Sequence, residues 1–76
     1  MGPYEDQIAA KLKSTFVTEK VAVLDRSGGC GASFEITIKS KIFKDVSKIQ
    51  QHRMVQAALG DETKKWHAVS FQTSVD

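Results

Sequence analysis

The sequence predicts an α+β domain of order α-β-β-α-(α)-β, a three-stranded mixed sheet with helices on one face. Three observations carry that expectation. Apolar residues recur at helical spacing near the N-terminus and again between residues 47 and 60. They alternate at strand spacing over residues 34–39 and 67–73. A glycine-rich loop short enough for a hairpin separates the first two strands. Seventy-six residues suffice for a single domain, 1–76, around one modest core.

Pro3 suits the first turn of a helix, and Glu5 and Asp6 suit its positive end. Ile8, Ala9, Leu12 and Phe16 then form one apolar stripe, and the run Phe16-Val17-Thr18 ends it. Val21 and Val23 alternate with Ala22 and Leu24 in a short strand expected to be well buried. Phe34, Ile36 and Ile38 alternate with Glu35, Thr37 and Lys39 in the clearest strand pattern of the chain. Ser47 and Gln50 have the spacing of a capping box. Ile49, His52, Val55 and Leu59 are expected on one helical face, with Gly60 as the stop. Asp61 to Lys65 reads as a turn or a short second helix. His67 to Thr73 reads as the last strand, Val69 and Phe71 sharing one side. The expected core is Ile8, Leu12, Val21, Val23, Phe34, Ile36, Ile38, Val55, Leu59, Val69 and Phe71.

Consecutive strands on a short loop pair antiparallel by default. The third strand returns after more than two dozen residues, long enough for a right-handed parallel connection beside the second. Strands two and three then begin at one end of the sheet. Cys30, shortly before one strand, and His67, opening the other, become neighbours at one rim.

Composition narrows the function. With 41% hydrophobic and 26% charged residues the chain is ordinary for a globular protein and too apolar for general disorder. A net charge of +2 permits nucleic-acid contact without arguing for it. A single cysteine excludes an intrachain disulfide. No run approaches a transmembrane helix, and no membrane partner is expected. The opening MGPYEDQ has neither the Arg-rich character of a transit peptide nor the apolar core of a signal peptide.

Cys30 and His67 offer a thiolate and an imidazole, donors that suit zinc, copper or iron–sulfur iron. Two ligands cannot close a tetrahedral site, so a bound metal or cluster needs ligands from a second molecule. Against this stands the ordinary structural role of lone Cys and His residues. The glycines let a partner's backbone approach closely. Gly28, Gly29 and Gly31, with Arg53 and Trp66, are the expected partner contacts, although Trp66 also reads as an edge-packing aromatic. His52 reads as a partly exposed or packing residue of the main helix. The basic set Lys44, Lys48, Arg53, Lys64 and Lys65 reads as a solvated face, with contact to an acidic partner as the alternative. No paired-carboxylate, Ser-His-Asp or Walker signature appears, so no enzyme and no catalytic residue is expected. The string GGCG satisfies GxxG, the backbone clamp of KH-type RNA-binding domains. That clamp belongs between two helices near Gly60, where this chain reads LGDE.

Three stretches in register, SGGCGASFEI, QQHRMVQAALGDE and WHAVSFQTS, resemble the BolA-like proteins, and the resemblance runs from about Glu5 to Val75. It implies a fold similar to class II KH domains and a function in binding rather than catalysis. Eukaryotic members of the family partner monothiol CGFS-type glutaredoxins and share a [2Fe-2S] cluster with them, in delivering or maturing iron–sulfur proteins. Carried over, the family's loop ligand falls on Cys30 and its C-terminal histidine on His67. The partner glutaredoxin would supply its cysteine and a bound glutathione, and the isolated chain, a monomer, would hold no cluster. SGGCGA with FQTSV looks most like the mitochondrial branch, with cytosol or nucleus as the alternative. Histidine ligation would raise the cluster's reduction potential and make it acid-sensitive. The alternative function is a nucleic-acid-binding transcriptional regulator, and a third is a redox-sensing thiol at Cys30.

Overall fold

A computed structural model describes residues 2–28 and 31–76, and the expected site residues Gly29 and Cys30 lie outside the described residues. Helix α1 spans Pro3–Phe16, strand β1 Val21–Asp25 and strand β2 Ser33–Lys39. A 3-10 turn, Lys41–Phe43, leads to α2, Lys48–Leu59. A second 3-10 segment, Gly60–Lys65, leads to β3, Ala68–Ser74. The sheet order is β1-β2-β3, with β1 antiparallel and β3 parallel to β2. This is the mixed three-stranded sheet the pattern predicts, and the ambiguous stretch 61–65 resolves as 3-10 helix.

The ends of α1 show how sequence sets local structure. Pro3 opens it, and the Glu5 carboxylate accepts from the Gly2 N–H at 2.6 Å, half of a capping box. The helix closes on Val17, whose φ of 51° and ψ of 55° are left-handed. A β-branched residue is poorly suited to that conformation, and Val17 is also 82% exposed. At the start of α2, the Ser47 hydroxyl accepts from the Gln50 N–H at 3.2 Å.

The register puts Val21, Val23, Phe34, Ile36, Ile38, Val69, Phe71 and Thr73 on the inner sheet face. Helix α1 lies against β1 and α2 against β3, and the helices touch each other. The core joins Ile8, Leu12 and Phe16 of α1 to Val55 and Leu59 of α2 over Val23, Ile36 and Ile38. The opposite sheet face is open, so Ala22 and Leu24 are exposed, which corrects the expectation of a well-buried first strand. Period-two alternation of apolar residues on both sides of a strand does not say whether a second layer exists.

Two further corrections concern α2 and its approach. Ile49 is 67% exposed, and Gln51 takes the buried place beside Val55 and Leu59. The Gln51 amide donates to the Val46 carbonyl at 2.6 Å and more weakly to that of Phe43, tying the helix to the preceding turn. Phe43, outside the expected core, is fully buried against Phe16 with ring centroids 5.1 Å apart. Its lysine-flanked setting, KIFKD, carries no apolar period to reveal it.

Substituting Val17→Gly should remove the left-handed penalty and raise the unfolding free energy by about 1 kcal/mol. Urea denaturation at constant m-value reads this, and a lower midpoint would show the helix end to be unstrained.

Candidate functional site

The parallel pairing of β2 and β3 begins at Ser33 opposite Ala68, so the residues just before each strand share one rim. There the His67 N–H donates to the Ala32 carbonyl at 2.7 Å, and the Ala68 N–H reaches the same oxygen at 3.3 Å. His67 precedes the strand rather than opening it, and its side chain is exposed. A Cβ built on Gly31 would stand 3.3 Å from the His67 Cβ, and Gly31 has a φ of +110°. The residue next in sequence to Cys30 is thus packed against His67, in a conformation that favours glycine.

The loop leading there is hydrogen-bonded at its base. The Arg26 N–H donates to the Ser33 carbonyl at 2.7 Å, and the Ser33 N–H donates to the Ser27 hydroxyl at 2.9 Å. Asp25 accepts from the Ser27 N–H at 2.8 Å. Hydrogen bonds from the Ser27 side chain, then from its backbone, hold the Asp25 carboxyl below the usual carboxylate range. Gly28 and Gly31 form an isolated antiparallel bridge, so the two described glycines of the loop face each other across it. Arg26 also pairs with Glu35 on the open sheet face at 3.1 Å.

Beneath His67 lies an aromatic cluster. Trp66 packs on Phe34 with ring centroids 4.6 Å apart and meets Tyr4 edge-on at 6.4 Å. Its indole N–H donates to the Tyr4 hydroxyl at 3.0 Å, and that hydroxyl donates in turn to Glu62. Trp66 is 8% exposed, so its ring supports the rim from within, as the edge-packing reading expects. It also lines a surface depression with Tyr4, Phe34 and Lys65, where part of the ring remains reachable. The Tyr4 and Glu62 contribution has no signal at the sequence level, the partners being 58 positions apart.

Arg53 is exposed on α2 next to His52, which lies 6.0 Å from Phe71 by ring centroids. Phe71 is four residues along β3 from His67, about 13 Å of extended strand. The fold thus gathers Gly28, Gly31 and His67 at one rim and sets Arg53 apart on the helix surface. No three His, Cys, Asp or Glu side chains cluster as a metal site among the described residues.

The family model of BolA-like proteins matches residues 10–76, nearly the whole chain. The chain belongs to the BolA-like family. Yeast BolA-like protein 3, from Saccharomyces cerevisiae, is 41% identical over 73 residues, covering 96% of this chain and 62% of the relative. This BolA-like chain therefore spans less than two thirds of that protein's length. The BolA domain of SufE1 from Arabidopsis thaliana superposes with a TM-score of 0.86 at 27% identity, covering 99% of this chain and 94% of that one. Yeast Fra2 superposes with a TM-score of 0.71 at 31% identity, covering 91% and 75% respectively.

The Tyr4–Glu62 bond gives this BolA-like rim a pH dependence. Glu62 is held below the usual carboxylate range, by the Tyr4 hydrogen bond first and then by Lys65. Its contribution is complete above the ordinary carboxylate pKa and is lost as pH falls through the lowered value. Tyr4 is raised, by burial first and then by Glu62, so its contribution is lost as pH rises through a value above 10.0. Tyr4→Phe should cost about 1–2 kcal/mol at neutral pH. It should also flatten both limbs of the stability–pH curve, read by urea denaturation across a pH series. An unchanged curve would mean that the bond is energetically silent.

Proposed function

We propose that this BolA-like chain is a non-catalytic adaptor in iron–sulfur biology. Membership of the family, with yeast Fra2 and the SufE1 BolA domain among its structural relatives, supports that coarse role. The finer reading is that it binds a monothiol CGFS glutaredoxin and shares a [2Fe-2S] cluster with it through Cys30 and His67. The single observation in support is the contact of Gly31 with His67, which ties the chain beside the thiol to the base of an exposed imidazole.

The donor set fits such a cargo. One soft and one borderline donor from this side leave the remaining positions to the partner's thiolates. What this chain contributes is position: the sheet fixes the His67 backbone, the imidazole stays accessible, and Gly31 keeps its neighbourhood free of side-chain bulk. His67 must be neutral to ligate, so acid would release the cluster. The mitochondrial location expected from the sequence is part of the same proposal and accords with the similarity to yeast BolA-like protein 3.

A nucleic-acid-binding role draws less support. The corner where a KH clamp belongs is Leu59-Gly60-Asp61-Glu62, which has one glycine where the GxxG clamp has two, and its acids are paired with Lys64 and Lys65.

Co-expression with a monothiol glutaredoxin, followed by visible absorption and circular dichroism, tests the adaptor. The complex should show a spectrum distinct from that of the glutaredoxin alone. The Cys30→Ala, His67→Ala variant should lose that difference, and a spectrum identical to the parent's would remove the ligand assignment.

A further inference from the structure

The end of the molecule away from His67 carries a surface that the cluster reading leaves unused. Hydrogen bonds join the closing segments of several elements there. The Ser40 hydroxyl donates to the Phe16 carbonyl at 2.7 Å, and the Thr18 hydroxyl donates to the Lys39 carbonyl at 2.7 Å. The Ser40 N–H donates to the Ser74 carbonyl at 3.0 Å, and the Lys48 ammonium reaches the Thr73 carbonyl. The end of α1, the ends of β2 and β3, the first 3-10 turn and the start of α2 therefore meet in one place.

Exposed aliphatic side chains concentrate on this end. Val17, Ile42, Ile49 and Val75 all stand out of the core, leaving Leu24 as the one exposed large hydrophobic elsewhere among the described residues. Two of the four sit where local rules call for something else. Val17 occupies a left-handed helix end that favours glycine or asparagine, and Ile49 points outward from the first turn of α2. Such departures mark sites held for a reason other than stability. Around them stand Lys20, Lys39, Lys41, Lys44 and Lys48, against the acids Glu19, Asp45 and Asp76. Five lysines face three acids, and with the Lys20–Asp76 pair set aside four lysines face two acids.

We propose that this end is a docking surface for an anionic lipid membrane. The chemistry favours lipid over other polyanions. The patch holds lysine without arginine, and its two phenylalanines, Phe16 and Phe43, are buried, so no aromatic face is offered for stacking. Nucleic-acid surfaces use arginine forks and stacking aromatics, and protein interface cores are depleted in lysine and enriched in arginine and aromatics. Exposed valine and isoleucine among flexible lysines instead match the headgroup boundary, where the aliphatic groups enter and the ammonium groups meet lipid phosphates. Among the described residues no helix is long and apolar enough to cross a membrane, but adsorption to its surface requires none. The expectation of no membrane partner followed from that missing span and is the one this surface revises. The surface lies apart from the His67 rim, so its test is independent of cluster binding.

Flotation of the purified chain with vesicles tests the proposal. Vesicles of phosphatidylcholine with phosphatidylglycerol should carry the chain upward, more strongly at low salt, and vesicles of phosphatidylcholine alone should not. Lys41→Glu with Lys44→Glu should lower the partition coefficient at least about 25-fold, roughly fivefold for each lysine. Ile42→Ser with Ile49→Ser, which leaves the charge unchanged, should lower it by about tenfold. All four positions are exposed, and circular dichroism verifies that each variant is folded. No flotation with the anionic vesicles overturns the proposal, as does undiminished flotation of either folded variant. Retention by duplex DNA or polyglutamate in the absence of vesicle binding also overturns it, in favour of a different polyanion.

Discussion

The parallel ladder between β2 and β3, in register from Ser33–Ala68 to Lys39–Ser74, fixes the rest of the molecule. A parallel pair needs a crossover, and the right-handed path through α2 is the one that returns β3 to the edge of β2. That path places α2 on the same sheet face as α1 and leaves the other face bare. It also brings the starts of β2 and β3 to one rim. The hydrogen bond from His67 to Ala32 is the first rung beyond the strands, and Gly31 sits close enough to His67 that an added Cβ would be a tight fit.

Much of this architecture was legible in the sequence because it rests on short-range periodicity. The stripe Ile8, Leu12, Phe16 and the alternation Phe34, Ile36, Ile38 each name a buried face, and the long interval before the last strand, read from His67, names the crossover. Phe43 and Trp66 were harder to place. Each is a single large ring in a polar setting, and its burial is decided by what lies across the core rather than by its neighbours in sequence. Ile49 shows the converse: it fits a helical face by spacing, yet Gln51 is drawn inward to satisfy the carbonyls of the preceding turn.

The candidate site was legible only as far as topology could carry it. Pairing rules bring His67 beside the loop of Gly28 and Gly31, and the register shows that proximity. The support under the rim was not foreseeable, because Tyr4, Glu62 and Trp66 meet through tertiary contact between opposite ends of the chain. Arg53 belongs to another surface because a residue one position past His52 turns away from the sheet. At the far end, Val17, Ile42 and Ile49 appear in the sequence as ordinary apolar residues, and only the fold shows that they are outside.

The anchoring of His67 is made by its peptide group, and its ring makes no hydrogen bond to the described residues. Pedestal and side chain are thereby separate. The side chain at this position can be exchanged without rebuilding the sheet beneath it, so residue identity here can drift through evolution at little cost to folding.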